Sequence, residues 1–72
     1  MDVKFEFING KTIIFYGVVG FYKNGKKIRH LFEGIESLLI GQFTVAYDDE
    51  GKLVETVING DDLKTVTFGD VG

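Results

Sequence analysis

VKFEFINGKTIIFY (residues 3–16) sets two apolar, alternating runs on either side of an Asn-Gly pair. Alternation with period two marks a half-buried strand, because successive side chains point to opposite faces. Asn-Gly between two such runs is the strongest short-range hairpin signal, since a type I′ turn needs positive φ at both central residues. A two-residue loop at Asn9-Gly10 pairs Ile8 with Lys11, Phe7 with Thr12, Phe5 with Ile14 and Val3 with Tyr16. One face then collects Val3, Phe5, Phe7, Ile14 and Tyr16 and is expected to be core. The other collects Lys4, Glu6, Ile8, Lys11, Ile13 and Phe15, which is too apolar to be wholly wet. Ile8, Ile13 and Phe15 are therefore the expected protein-contact residues, covered by a later element or by a partner.

The same punctuation recurs along the chain, which has ten Gly and no Pro. Asn24-Gly25 closes a second hairpin that sets Lys23 opposite Lys26, Phe21 opposite Ile28 and Val19 opposite His30. QFTVAY, KLVETVI and LKTVTF read as three further strands in a meander, the first two joined by the polar turn DDEGK (48–52). A tight turn at Asn59-Gly60 would put Glu55 opposite Lys64, unless Asp61 and Asp62 widen the loop. In LFEGIESLLIG (31–41), Leu31, Ile35, Leu38 and Leu39 follow helical spacing, with Glu33 and Glu36 opposite and Gly41 as a stop. A short helix is expected near residues 31–39, with a bent strand as the alternative. FINGKTIIFYG (7–17) echoes VINGDDLKTVTFG (57–69), as two edge hairpins drawing on the same residue types would.

The expected fold is mainly β (α+β at most). It is a single small domain over residues 1–72, a small antiparallel β-hairpin sheet or partly closed barrel of about six strands. The tail over 69–72 is expected to fray. The expected core is Val3, Phe5, Phe7, Ile14, Val19, Phe21, Ile28, Leu31, Ile35, Leu38, Phe43, Val45 and Val54.

LLIGQFTVAYDDEGKLVETVING (38–60) resembles in cadence a strand pair of small Sm-like or SH3-like barrels. Two hairpins precede it here, and KLVETVI lacks the glycine of the bent second strand, so no family is assigned on it.

Composition narrows the function. The chain has 72 residues, 44% of them hydrophobic, with seven Phe and three Tyr, which is a folding composition. It is near the lower size limit for a self-sufficient core, and self-association is one way such a domain gains burial. There is no Cys, so no disulfide staple and no thiolate metal site. There is no signal-peptide pattern and no apolar run approaching the ~20 residues that span a bilayer. No membrane association is expected, and a cytoplasmic location is. One Ser (Ser37) and one His (His30) offer no nucleophile elbow around Ser37. The carboxylates sit in turns, where solvated charge belongs. Neither DDEG nor NGDD spaces its oxygens as a calcium loop does. No enzyme, cofactor or metal is expected.

FYKNGKKIRH (21–30) is the basic exception in an acidic chain. Tyr22, Lys27 and Arg29 share one face of the hairpin, with Lys23 and Lys26 at its tip. Cations beside an aromatic ring suit phosphate contact and base stacking. Lysines at a hairpin tip also guard a sheet edge against unwanted pairing. Residues 1–32 carry six Lys/Arg and two Asp/Glu, and residues 33–72 carry two and nine, for a net charge of −3. Such a split suits an anionic partner or complementary self-association, unless the halves interleave in space. The leading expectation is a non-catalytic interaction module working through protein contacts and self-association (a homo-oligomer). The alternative is a nucleic-acid binder using Tyr22, Lys23, Lys26, Lys27 and Arg29.

Overall fold

The computed structural model describes residues 1–28 and 40–69. The helix expected at 31–39, the core positions Leu31, Ile35 and Leu38, and Arg29 and His30 lie outside the described residues, as do 70–72. Among the described residues seven strands follow in order: β1 (Val3–Phe7), β2 (Thr12–Phe15), β3 (Val18–Lys23), β4 (Lys26–Lys27), β5 (Gln42–Asp49), β6 (Lys52–Asn59) and β7 (Leu63–Phe68). They form two antiparallel sheets, ordered β2-β1-β7 and β4-β3-β5-β6. The class is mainly β, as expected from the alternating patterns, and the sheets do not close into a barrel. They pack face to face around Val3, Phe5, Phe15, Val18, Phe21, Phe43, Val45 and Ile58.

The second hairpin and the DDEGK turn follow the sequence. Asn24 (φ 53°) and Gly25 (φ 77°) both take positive φ, as a type I′ turn requires. Lys23 faces Lys26 and Tyr22 faces Lys27. The Ile28 amide donates to the Phe21 carbonyl at 2.8 Å. Glu50 (φ 51°) and Gly51 (φ 82°) make the matching turn between Asp49 and Lys52.

The first hairpin does not. Asn9 keeps negative φ, and only Gly10 goes left-handed, at φ 91°. The Gly10 amide donates to the Phe7 carbonyl (3.0 Å), and the Phe7 amide to the Lys11 carbonyl (2.8 Å). The Asn9 side-chain oxygen accepts from the Lys11 amide at 2.9 Å. This is a three-residue loop ending in a left-handed glycine, the next most common hairpin after the two-residue one. The one added residue moves the register by one, so Val3 faces Phe15, Phe5 faces Ile13 and Lys4 faces Ile14. A one-residue slip exchanges the faces of a strand. Phe15 is consequently 7% exposed in the core, and Tyr16 is 58% exposed. The assignment of Ile13 and Phe15 to the outer face, and of Ile14 and Tyr16 to the core face, is thereby corrected.

Val19 is a second correction. The β3–β5 register shifts between Val18 and Gly20, so Val19 is the extra residue of a bulge, unpaired and exposed. Its place in the core passes to Val18. Val54 is half-buried on the inner side of β6, and Phe7 and Ile28 pack against the core from its margin.

Two corners carry the chain between sheets. At the first, β2 leaves through Gly17 (φ 67°) and β3 begins. A Cβ there would meet the Asp48 carbonyl at 3.3 Å. The Asp48 amide donates to Gly17 O (3.0 Å), the Gly17 amide to Asp2 Oδ1 (3.3 Å) and the Val18 amide to Met1 O (2.7 Å). At the second corner the expected Asn59-Gly60 hairpin is absent. Gly60–Asp62 instead form a 3₁₀ turn capped by Asn59, whose side chain accepts from the Asp61 amide at 3.1 Å. Gly60 donates to Gly41 O (2.7 Å), Gly41 donates to Asp61 Oδ1 (3.2 Å), and Ile8 donates to Asp62 O (2.9 Å). The Asn side chain offers the backbone an alternative to the tight turn. β7 is thus sent to β1, with Phe5 facing Val66, rather than back along β6. Glu55 lies opposite Ala46, not Lys64. The Gly69 amide donates to Asp2 O at 2.9 Å, and the rest of the tail expected to fray, 70–72, lies outside the described residues.

The register makes a stability prediction. Phe15→Ala should cost about 3–5 kcal/mol, as loss of a buried ring does. Tyr16→Ala, one residue on, should cost under about 1 kcal/mol. Urea denaturation of the two variants reads the difference, and a larger loss for Tyr16→Ala would place the strand in the other register.

Candidate interaction surfaces

Three surfaces gather the side chains with something to offer a partner. The first lies at the β1–β2 turn. The three-residue loop lifts Ile8 outward, 68% exposed, and the edge strand β2 leaves Ile13 38% exposed. With Phe7 between them they line an open cleft of about 400 Å³, rimmed by Lys11, Asn9 and Asp62. Ile8 and Ile13 line the same cleft, but Ile13 reaches it from the core-side face of β2, opposite Phe5, and not from the outer face expected, while Phe15 is withdrawn into the core. Phe7, half-buried, takes its place at the cleft.

The second surface is the basic hairpin. The Tyr22–Lys27 pairing puts ring and cation on one face, as period two requires. Lys27 runs back across Gly20: a Cβ on Gly20 would lie 3.0 Å from Lys27 Cε. The aliphatic stem covers the sheet while its ammonium stays in water. Lys26 is exposed at the tip. Lys23 is engaged locally, its ammonium donating to the Ile40 carbonyl. Four of the five expected basic-site residues therefore fall on one short hairpin, on its two faces, and the fifth, Arg29, lies outside the described residues.

The third surface was not singled out from the sequence. β6 is an outer strand of its sheet among the described residues. Its outward-facing side chains are Leu53, Glu55 and Val57, with Leu53 64% and Val57 63% exposed. Beside them runs a shallow groove of about 490 Å³ whose lining includes Tyr22, Gln42, Thr44, Glu55 and Val57. The available signal was the spacing Leu-x-Glu-x-Val, which puts two aliphatics and a charge on one side of a strand. In the sequence it marks only one strand of a meander.

The acidic loops take part in the corners of the fold. Asp61 accepts the Gly41 amide, and Asp48 and Asp62 contribute backbone groups to the corners. Among the described residues, no group of three or more His, Cys, Asp or Glu is arranged to hold a metal ion. No helix among them is long and apolar enough to cross a membrane. No protein-family model, curated protein or solved structure matches the chain.

The exposure of Ile8 and Ile13 is directly testable. Ile8→Lys and Ile13→Lys should keep the cooperative thermal transition, each costing under about 1 kcal/mol, because solvent already reaches both side chains. Phe15→Lys should abolish it, since a buried unpaired ammonium costs far more. Circular dichroism melts of the three variants check the ordering.

Proposed function

We propose that this chain is a non-catalytic interaction module that acts through protein contacts, including contacts with a second copy of itself. The observation that carries the reading is the cleft at the β1–β2 turn, where Ile8 and Ile13 stand exposed around Phe7. Clustered aliphatics at a strand edge gain by being covered, at roughly 25 cal/mol per Å² of apolar surface removed from water. A small unstapled domain has reason to use that gain. A chain without cysteine suits the reducing cytoplasm, and the module is assigned there.

A second reading has the Tyr22–Lys27 pair in its favour: a nucleic-acid binder that stacks a base on Tyr22 and meets phosphate with Lys23, Lys26, Lys27 and Arg29. Glu55 lines the same groove as Tyr22, and its carboxylate opposes a phosphate backbone there. Lys23 also has its local carbonyl partner.

Light scattering across a concentration series separates the two. The module reading expects a mass above one chain that persists at high salt and returns to one chain in Ile8→Lys and Ile13→Lys. A one-chain mass at the highest concentration defeats self-association. Anisotropy with a labelled single-stranded oligonucleotide tests the rival, which expects salt-sensitive binding weakened by Lys27→Ala.

A further inference from the structure

We propose that the outer edge of β6 is a strand-addition site for an extended, basic peptide segment. The segment's arginine or lysine would lie opposite Glu55, between two apolar side chains that cover Leu53 and Val57. This rests on the reading that the chain works by protein contacts, but it concerns a different surface from the Ile8–Ile13 cleft.

The backbone comes first. β5 and β6 are joined by a two-residue turn, so the flanking residues Asp49 and Lys52 form a doubly hydrogen-bonded pair. Such pairs alternate along an antiparallel ladder. Lys52, Val54, Thr56 and Ile58 therefore direct their N–H and C=O groups toward β5. The Gly60 amide donating to Gly41 O at 2.7 Å continues the same phase. Leu53, Glu55 and Val57 consequently direct theirs outward, away from β5. No strand pairs with that side of β6 among the described residues. A row of outward amides and carbonyls on an eight-residue strand is the template that an added strand completes.

The side chains select the added strand. Leu53, Glu55 and Val57 rise from the same residues, on the outer face. The described residues hold one ion pair, Lys4 with Glu6, so Glu55 has no cationic partner among them. An opposite charge directly across the strands would supply one. Beside Glu55, the Thr44 and Gln42 side chains and the Tyr22 ring line the groove, and all three tolerate or favour a cation.

The charges argue against a second copy as the occupant. A two-fold β6–β6 pairing centred on Glu55 would set two carboxylates face to face, which is destabilising. Sliding the register to avoid this still brings Asp48, Asp49 and Glu50 at one end of the hairpin toward Asp61 and Asp62 at the other end of its copy. An extended segment of a basic partner meets the same acids favourably.

The test uses the full chain and two labelled peptides of the length of β6. Both alternate valine with threonine, one with arginine at its centre and one with glutamate. Amide chemical-shift mapping should show the arginine peptide perturbing Leu53, Glu55 and Val57, with those amides gaining protection from hydrogen exchange. The glutamate peptide should bind more weakly. Glu55→Gln should weaken the arginine peptide about two- to five-fold, the range expected from one cross-strand charge pair. Val57→Pro removes an outward N–H without touching the β5 ladder and should abolish binding. If that variant does not fold, the exchange protection in the unsubstituted chain decides the matter alone. Equal binding of both peptides, perturbation confined to the Ile8–Ile13 cleft, or no perturbation overturns the proposal. So does a free chain whose mass is doubled and whose β6 amides are already protected, because a second copy then holds the edge. A one-chain mass together with binding of the arginine peptide would instead remove self-association and leave this site standing.

Discussion

The ring of Phe5 is the contact on which the two sheets depend. It sits on β1, the middle strand of its sheet. It meets Phe15 of β2 at 5.6 Å between centroids, Phe21 of β3 at 6.3 Å and Phe43 of β5 at 5.8 Å. The first two are edge-to-face arrangements, which aromatic quadrupoles favour. Phe21 in turn meets Phe43 and Phe68, and Phe15 meets Tyr47. These rings come from strands of both sheets, so packing around Phe5 couples strand registers that no turn links. A slip of β2 by one residue would withdraw Phe15 and bring Ile14 and Tyr16 inward, leaving Phe5 without one of its three ring partners. The packing, more than the Asn-Gly pair, specifies that hairpin.

How far the sequence could be read follows from what Asn-Gly does at each of its three sites. At Asn24 it makes the type I′ turn its composition suggests, and the register on both sides is legible. At Asn9 and Asn59 the side-chain oxygen captures an amide two residues on, and the backbone takes another path. Nothing in the dipeptide separates these cases. The Asn59 corner is held by Gly41 and Ile8, both distant in sequence, so its geometry is a tertiary property. The Val19 bulge is hidden for a similar reason: an apolar residue two before Phe21 reads as inward until the extra residue is counted. The repeated motif at 7–17 and 57–69 therefore codes for a hairpin once and a corner once.

The candidate surfaces show the same division. Tyr22 and Lys27 were readable as a pair because their turn is local. Ile8 was readable as an exposed aliphatic, yet Ile13 and Phe15 were grouped with it on the outer face through the slipped register. The β6 edge was not readable, because its exposure depends on β7 pairing with β1 instead. The charge asymmetry along the chain likewise dissolves in space. The sheet β2-β1-β7 takes two strands from the basic half and one from the acidic half, and the sheet β4-β3-β5-β6 takes two from each. What survives is local, with acids at both ends of the β5–β6 hairpin and lysines at the β3–β4 tip.

The pairing of β1 with β7 has a consequence for how the chain comes into being. β1 is made well before β7, since Val3 pairs with Phe68 and Phe7 with Leu63. Until residue 63 and beyond emerge, β1 has one bare side, and Val3 and Phe5 lack much of their cover. Contacts between such distant segments are slow to close, because the entropy of the intervening loop must be lost first. The nascent protein thus carries β1 half-partnered until β7 has been made. Lys4 and Glu6, 3.3 Å apart on the outward side of β1 in the finished fold, keep charge on the strand while it waits.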